Sequence, residues 1–143
     1  MATATKFQDF SEQLSKGVHQ FGTHTFKLVL TNTAPVATNT TLSDITQIAG
    51  SNGYTTGGAT VTISVSESTG TTTIGGDAVT WTASGGSMGP FRYYVLYNDT
   101  ATSPADALVC FWDHGSAVTL ASGESFKASF NNDDTAGTIL TIA

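Results

Sequence analysis

The chain has one cysteine and one arginine in 143 residues, only three prolines, and no long apolar run. A lone cysteine closes no internal disulfide, so a packed core must hold the fold, and the composition predicts folding in a reducing cytosol. Cys110 stands between Val109 and Phe111 in an alternating stretch, which marks it as a small core residue and not a reactive thiol. Five basic residues stand against eleven acidic ones, a formal charge of −6, and the basic ones are scattered at positions 6, 16, 27, 92 and 127. Phosphate recognition needs clustered cations, so nucleic acid is excluded as a partner. No stretch approaches the roughly 18–20 apolar residues of a membrane helix, and residues 1–16 lack the apolar run of a secretory signal. The expectation is a chain made in the cytosol with no membrane partner.

Charge of either sign is scarce, at 11%, yet 39% of the residues are hydrophobic. Thr-rich segments alternate with Val and Ile as half-buried strands do, which argues against disorder. The length fits one domain, large enough to bury roughly two-thirds of its unfolded surface without disulfides or metals.

The motifs that could carry chemistry are weak. Gly85-Gly86-Ser87-Met88-Gly89 fits the spacing of a nucleophile elbow, but that elbow needs a helix after the serine. Here Pro90 and a strand pattern follow, so Ser87 reads as part of a turn. His19, His24 and His114 have neither the i, i+4 spacing of a helical metal pair nor cysteine partners. Asn131-Asn132-Asp133-Asp134 lacks the alternating ligands and terminal glutamate of a calcium loop and is at most a weak cation site. No cofactor and no catalytic residue is expected.

Residues 1–22 differ from the rest. Phe7, Phe10, Leu14, Val18 and Phe21 recur at spacings of three and four, the stripe of an amphipathic helix. Gly22 is a plausible stop. This stripe either covers the domain's own core or is laid on a neighbouring subunit, and with residues 1–6 it is the candidate partner-binding surface. From Thr25 the period becomes two, and residues 23–143 read as a single β domain. Strands are predicted at 25–31, 60–66, 79–83, 91–97, 107–112, 117–120, 125–130 and 138–142, with a short helical turn within 42–48. Seven or eight strands joined by Gly, Asn, Asp and Pro turns predict a mainly β, antiparallel sandwich or jelly roll with a short N-terminal helix.

Residues 79–112 hold both tryptophans, three of the four tyrosines, the arginine and the cysteine, and read as a three-stranded meander. On alternation alone, Phe91, Tyr93, Val95 and Tyr97 share one face, and Arg92, Tyr94, Leu96 and Asn98 the other. Core packing is the default for such aromatics, while outward-facing Trp81, Tyr94 or Trp112 would offer a sugar platform.

The segments TFKLVLTNTAP, LSDITQIAGSNGYTTGG and VTWTASGGSMGPFRYYVLYNDTATSPADALVCFWDHGSAVTL resemble, in that order, a widespread group of short tailed-phage structural proteins. The group includes capsid cement, or decoration, proteins. The resemblance runs from about Phe7 to Ala143, and YYVLYNDTATSPADALVCFWD is its most distinctive string. It implies a jelly-roll-like β-sandwich that assembles with itself as dimers or trimers on the outer capsid surface. It also implies the major capsid protein as partner, whose neighbouring subunits such proteins clamp, and it carries no catalytic residues. Two other classes fit the same composition: a head- or tail-fibre carbohydrate-binding module, and a tail-tube or connector protein.

Overall fold

In a computed structural model of the chain, residues 3–130 and 137–143 are described; the weak cation-site candidate at 131–134 lies outside them. The described residues form ten strands, all paired antiparallel, and one short α-helix.

The main sheet is built from β1 (Thr5–Lys6), β2 (Phe26–Thr31), β3 (Ala59–Val61), β7 (Met88–Asn98) and β8 (Leu108–Leu120), in the order β1-β8-β7-β2-β3. Two smaller sheets complete the molecule. One runs β10-β5-β4, from β4 (Ile63–Ser68), β5 (Thr71–Gly76) and β10 (Gly137–Ile142), and the other pairs β6 (Val79–Thr82) with β9 (Ser125–Ala128). Phe26, Leu28, Leu30, Tyr94, Leu96 and Trp112 of the main sheet share one apolar cluster with Ile74, Val79, Trp81, Ala128 and Ile139 of the smaller sheets. One-sided alternating strands need such a second layer. The architecture is therefore mainly β and sandwich-like, as the alternation predicts, while jelly-roll winding does not follow from this strand order.

The main sheet is buried on its other face too. Phe7, Val29, Ile45, Val95, Tyr97 and Leu108 form a second cluster there. Its cover is the loop between β2 and β3, with a 3-10 turn at Leu42–Asp44, strapped down where Leu42 N–H donates to Asp106 C=O and Leu108 N–H to Thr40 C=O. Residues 42–48 thus supply the predicted helical turn, and a capping box formed by Thr41 and Asp44 fixes its start.

Four expectations are corrected. The residues 79–112 are not a meander: β7 and β8 form a hairpin, but β6 pairs with β9 in another sheet. The stretch predicted as one strand at 60–66 is two, because the chain changes sheets at Thr62: Val61 pairs with Phe26, and Ile63 with Gly76. The predicted strand at 117–120 is the far end of β8, which Asp113 interrupts by accepting the Gly115 N–H in a bulge. That register shift also changes which residues share a face. Tyr94 and Leu96 face the inner core and Val95 and Tyr97 the outer cluster, but Phe91 joins the inner core, because pairing slips between Phe91 and Tyr93.

The N-terminal helix is also shorter than its stripe. It spans α1 (Phe10–Ser15) and stops at Gly17, not Gly22. Gly17 has φ +79°; its N–H donates to Leu14 C=O, and the Val18 N–H reaches back to Gln13 C=O. These are the two hydrogen bonds of a Schellman motif, whose left-handed residue glycine provides without strain.

Candidate functional site: an inward-turned stripe and a histidine–asparagine junction

The predicted partner-binding stripe is largely turned into its own domain. Phe7 is fully buried in the outer cluster, 5.1 Å from Phe111 between ring centroids. Its N–H donates to Val109 C=O, which continues the pairing of Thr5 with Phe111 and Lys6 with Cys110. Thr5 and Lys6 of the N-terminal arm are thus the edge strand β1. Phe10 and Phe21 are buried in the inner cluster, and Leu14 packs against it. Phe21 lies flat on Phe26, 4.5 Å away at 9°. Val18 is half-buried. A 3.6-residue period reports a buried face and is silent on whose core buries it.

The aromatic platform does not form. Trp81, Tyr94 and Trp112 are all buried. Tyr94 stacks on its cross-strand neighbour Trp112 at 5.2 Å, and Trp112 meets Phe130 at 5.0 Å. Such pairs stabilise a core beyond their area. Cys110 is buried as expected, and burial pushes its thiol far up. Ser87 is exposed in the turn before β7, and its carbonyl accepts from the Asn52 side chain. The elbow's following helix is replaced by a strand.

His19 and His24 do come together, which spacing along the chain did not suggest. Asn98, fully buried at the end of β7, uses its side-chain oxygen to accept from Thr100 N–H at 3.0 Å and Ala101 N–H at 3.2 Å. That fixes its amide nitrogen toward Val18 C=O at 3.2 Å, His19 Nδ1 at 3.3 Å and His24 Nδ1 at 3.0 Å. Its two hydrogens serve these three acceptors, so at least one is shared, and both rings turn an Nδ1 lone pair toward the amide, with their protons on Nε2. His19 is 4% exposed, and its Nε2 has no partner. Around it stand the rings of Phe10, Phe21 and Phe26, at centroid distances of 5.2, 6.1 and 6.2 Å. Burial, then the nearby His24, drives the His19 ring down to about 4, with Asp9 opposing. Two residues 79 and 74 positions from Asn98 leave no local signal of this junction.

Two grooves flank these elements. One, of about 360 Å³, lies between β1 and β10 and is lined by Cys110, Trp112 and Phe130 among others; the other, of about 240 Å³, lies beside His24, Val18 and Thr100. Among the described residues no group of three or more His, Cys, Asp or Glu could hold a metal.

The outer strands of the three-stranded sheet are hydroxyl-rich and nearly uncharged. Among the described residues, β4 and β10 are the two outer strands of the three-stranded sheet, and their sequences, ISVSES and GTILTI, carry one charge between them, Glu67. By register Val65 and Ile142 share the face that carries Ile74. Ile74 is buried, while Val65 and Ile142 are 48% and 38% exposed, so this sheet runs on past the layer that covers it. No known protein family, curated protein or solved structure matches the chain.

Proposed function

We propose that the chain is a bacteriophage capsid cement (decoration) protein. It binds the outer surface of the head as a homo-oligomer, dimer or trimer, and bridges neighbouring major capsid protein subunits. The observation that carries this reading, beside the resemblance in residues 7–143, is where the chain puts its adhesive groups. Its tryptophans and its only thiol are interior, and among the described residues the three-stranded sheet offers two outer strand edges beside the bare Val65–Ile142 face. Edges of this kind hold partners by main-chain hydrogen bonds and shallow apolar contact. They suit a protein that clamps a shell and takes no small ligand.

The test uses purified heads lacking the protein. Added protein should bind them at saturable stoichiometry and raise the temperature at which they open. V65E and I142E should each weaken retention without lowering the protein's own melting temperature. Failure of the native chain to bind heads rejects the reading.

A second reading rests on the β4–β5 hairpin, whose residues 64–70 are all exposed. A tail-tube or connector protein would insert such a hairpin into the next copy. Rings or tubes of purified protein in electron micrographs would favour it.

A further inference from the structure

We propose that residues 10–24 are an acid-released strap, held to the sandwich where the Asn98 amide faces Nδ1 of both His19 and His24. The geometry sets the chemistry. The Asn98 amide cannot turn over, because its oxygen is committed to the N–H groups of Thr100 and Ala101. Each imidazole must therefore offer a lone pair at Nδ1. Protonation puts an N–H there, and two donors then face each other. The protonated His19 ring would also be a cation among three phenylalanine rings with no acceptor at Nε2. Burying an unpaired cation is costly enough that the site opens instead.

The charged groups nearby do not cancel this. Asp9, before α1, favours the protonated His19 ring, but it ranks below burial and His24, which oppose it; its carboxylate also accepts from Gln13 Nε2. Asp99, next to Asn98, pairs with Lys27 at 3.4 Å. Glu12 and Lys16 of α1 pair with each other, exposed. The pH direction follows from the His19 ring, which binds its proton at an ordinary value near 6.5 when the strap is free and at about 4 when it is docked. Docking is at full strength above about 6.5 and is lost progressively as pH falls toward about 4. One proton taken up on opening raises the open fraction by up to about tenfold per pH unit within that window. Among the described residues, the backbone of this strap is tied to β2 and β7 by the Val18 carbonyl, and otherwise its side chains pack on them, so it can leave while the β7–β8 hairpin stays paired.

The experiment is amide hydrogen exchange on the full chain from pH 7.5 to 4.5, expressed as protection factors so that intrinsic exchange cancels. Protection of residues 10–24 should drop by tenfold or more, while amides of β7 and β8 keep theirs. H19F, which fills the aromatic nest with a ring that cannot titrate, should flatten the dependence; H24Q, which retains an acceptor, should reduce it. An NMR titration of the His19 ring in the native chain provides a check independent of any variant. A pH-independent strap, simultaneous loss across β7 and β8, or a His19 ring titrating at its ordinary value would each overturn the proposal.

Discussion

Asn98 ties together five backbone or ring groups from three stretches of chain, so its replacement should cost more than its size suggests. N98A leaves buried donors of the 98–101 turn and buried acceptors of the strap unpaired. At ~1–3 kcal/mol for a buried polar group left without a partner, a loss of about 2 kcal/mol or more is expected, read from urea unfolding at neutral pH. Cys110 makes the opposite kind of statement, through inertness. It is buried, and its burial holds the thiol protonated; only a thiolate reacts with disulfide reagents. Ellman's reagent should therefore leave the native chain unmodified over hours and modify one thiol per chain in denaturant, and rapid labelling of the native state would contradict the core placement. Cys110 was legible from its Val and Phe neighbours alone. The partners of Asn98 were not, because a hydrogen bond between residues 79 apart has no counterpart in local pattern.

At the scale of elements, glycine decides where pieces end, and two glycines separate backbone conformation from crowding. Gly17 and Gly58 both have positive φ, +79° and +78°, but a Cβ on Gly17 would meet nothing within 4 Å, whereas on Gly58 it would stand 2.0 Å from Leu28 C=O. G17A should cost only the left-handed penalty of about 1–2 kcal/mol. G58A must also push the β2–β3 connection off β2, where Gln47 and Tyr97 pin Gly57 from either side, and should lower the melting temperature several-fold more. Comparable losses for the two variants would sink this account. Strand existence was readable wherever alternation met a turn residue, as in β2, β9 and β10. Two things were not: the change of sheets at Thr62, which leaves alternation intact while reversing partners, and the slip that moves Phe91 to the inner core. β5 was hidden for a related reason, since Gly75 and Gly76 look like a turn. They sit in the strand because Gly76 faces Ile139, Val61 and Phe130, where a Cβ would come within about 3 Å of each.

For the molecule as a whole, the question raised by the N-terminal stripe was whether it belongs to this chain's core or to a partner's. The burial of Phe7, Phe10 and Phe21 gives a measurable answer on isolated protein. F7A should destabilise the free chain by about 3–5 kcal/mol, the usual cost of emptying a buried phenylalanine site, with equal loss at low and high protein concentration. A cost that appears only at concentrations where the protein self-associates would return Phe7 to an interface. The mainly β, two-layered character was legible because alternating strands with one apolar face need a cover; that the main sheet needed two covers was foreshadowed by apolar groups on both sides of residues 91–98. The outward-facing surfaces were not legible, since exposure of Val65 and Ile142 depends on where one sheet outruns another.

The pairing of Thr5 with Phe111 also dictates an order of events on the ribosome. At ~5–20 residues per second, the 106 residues separating these partners take about 5–20 s to be made. Throughout that time the first strand has no β8 to join, and once β8 emerges its outer edge is open until the oldest part of the chain returns to it. On a polysome making many copies side by side, that interval is when β1 of one nascent chain can close the sheet of another.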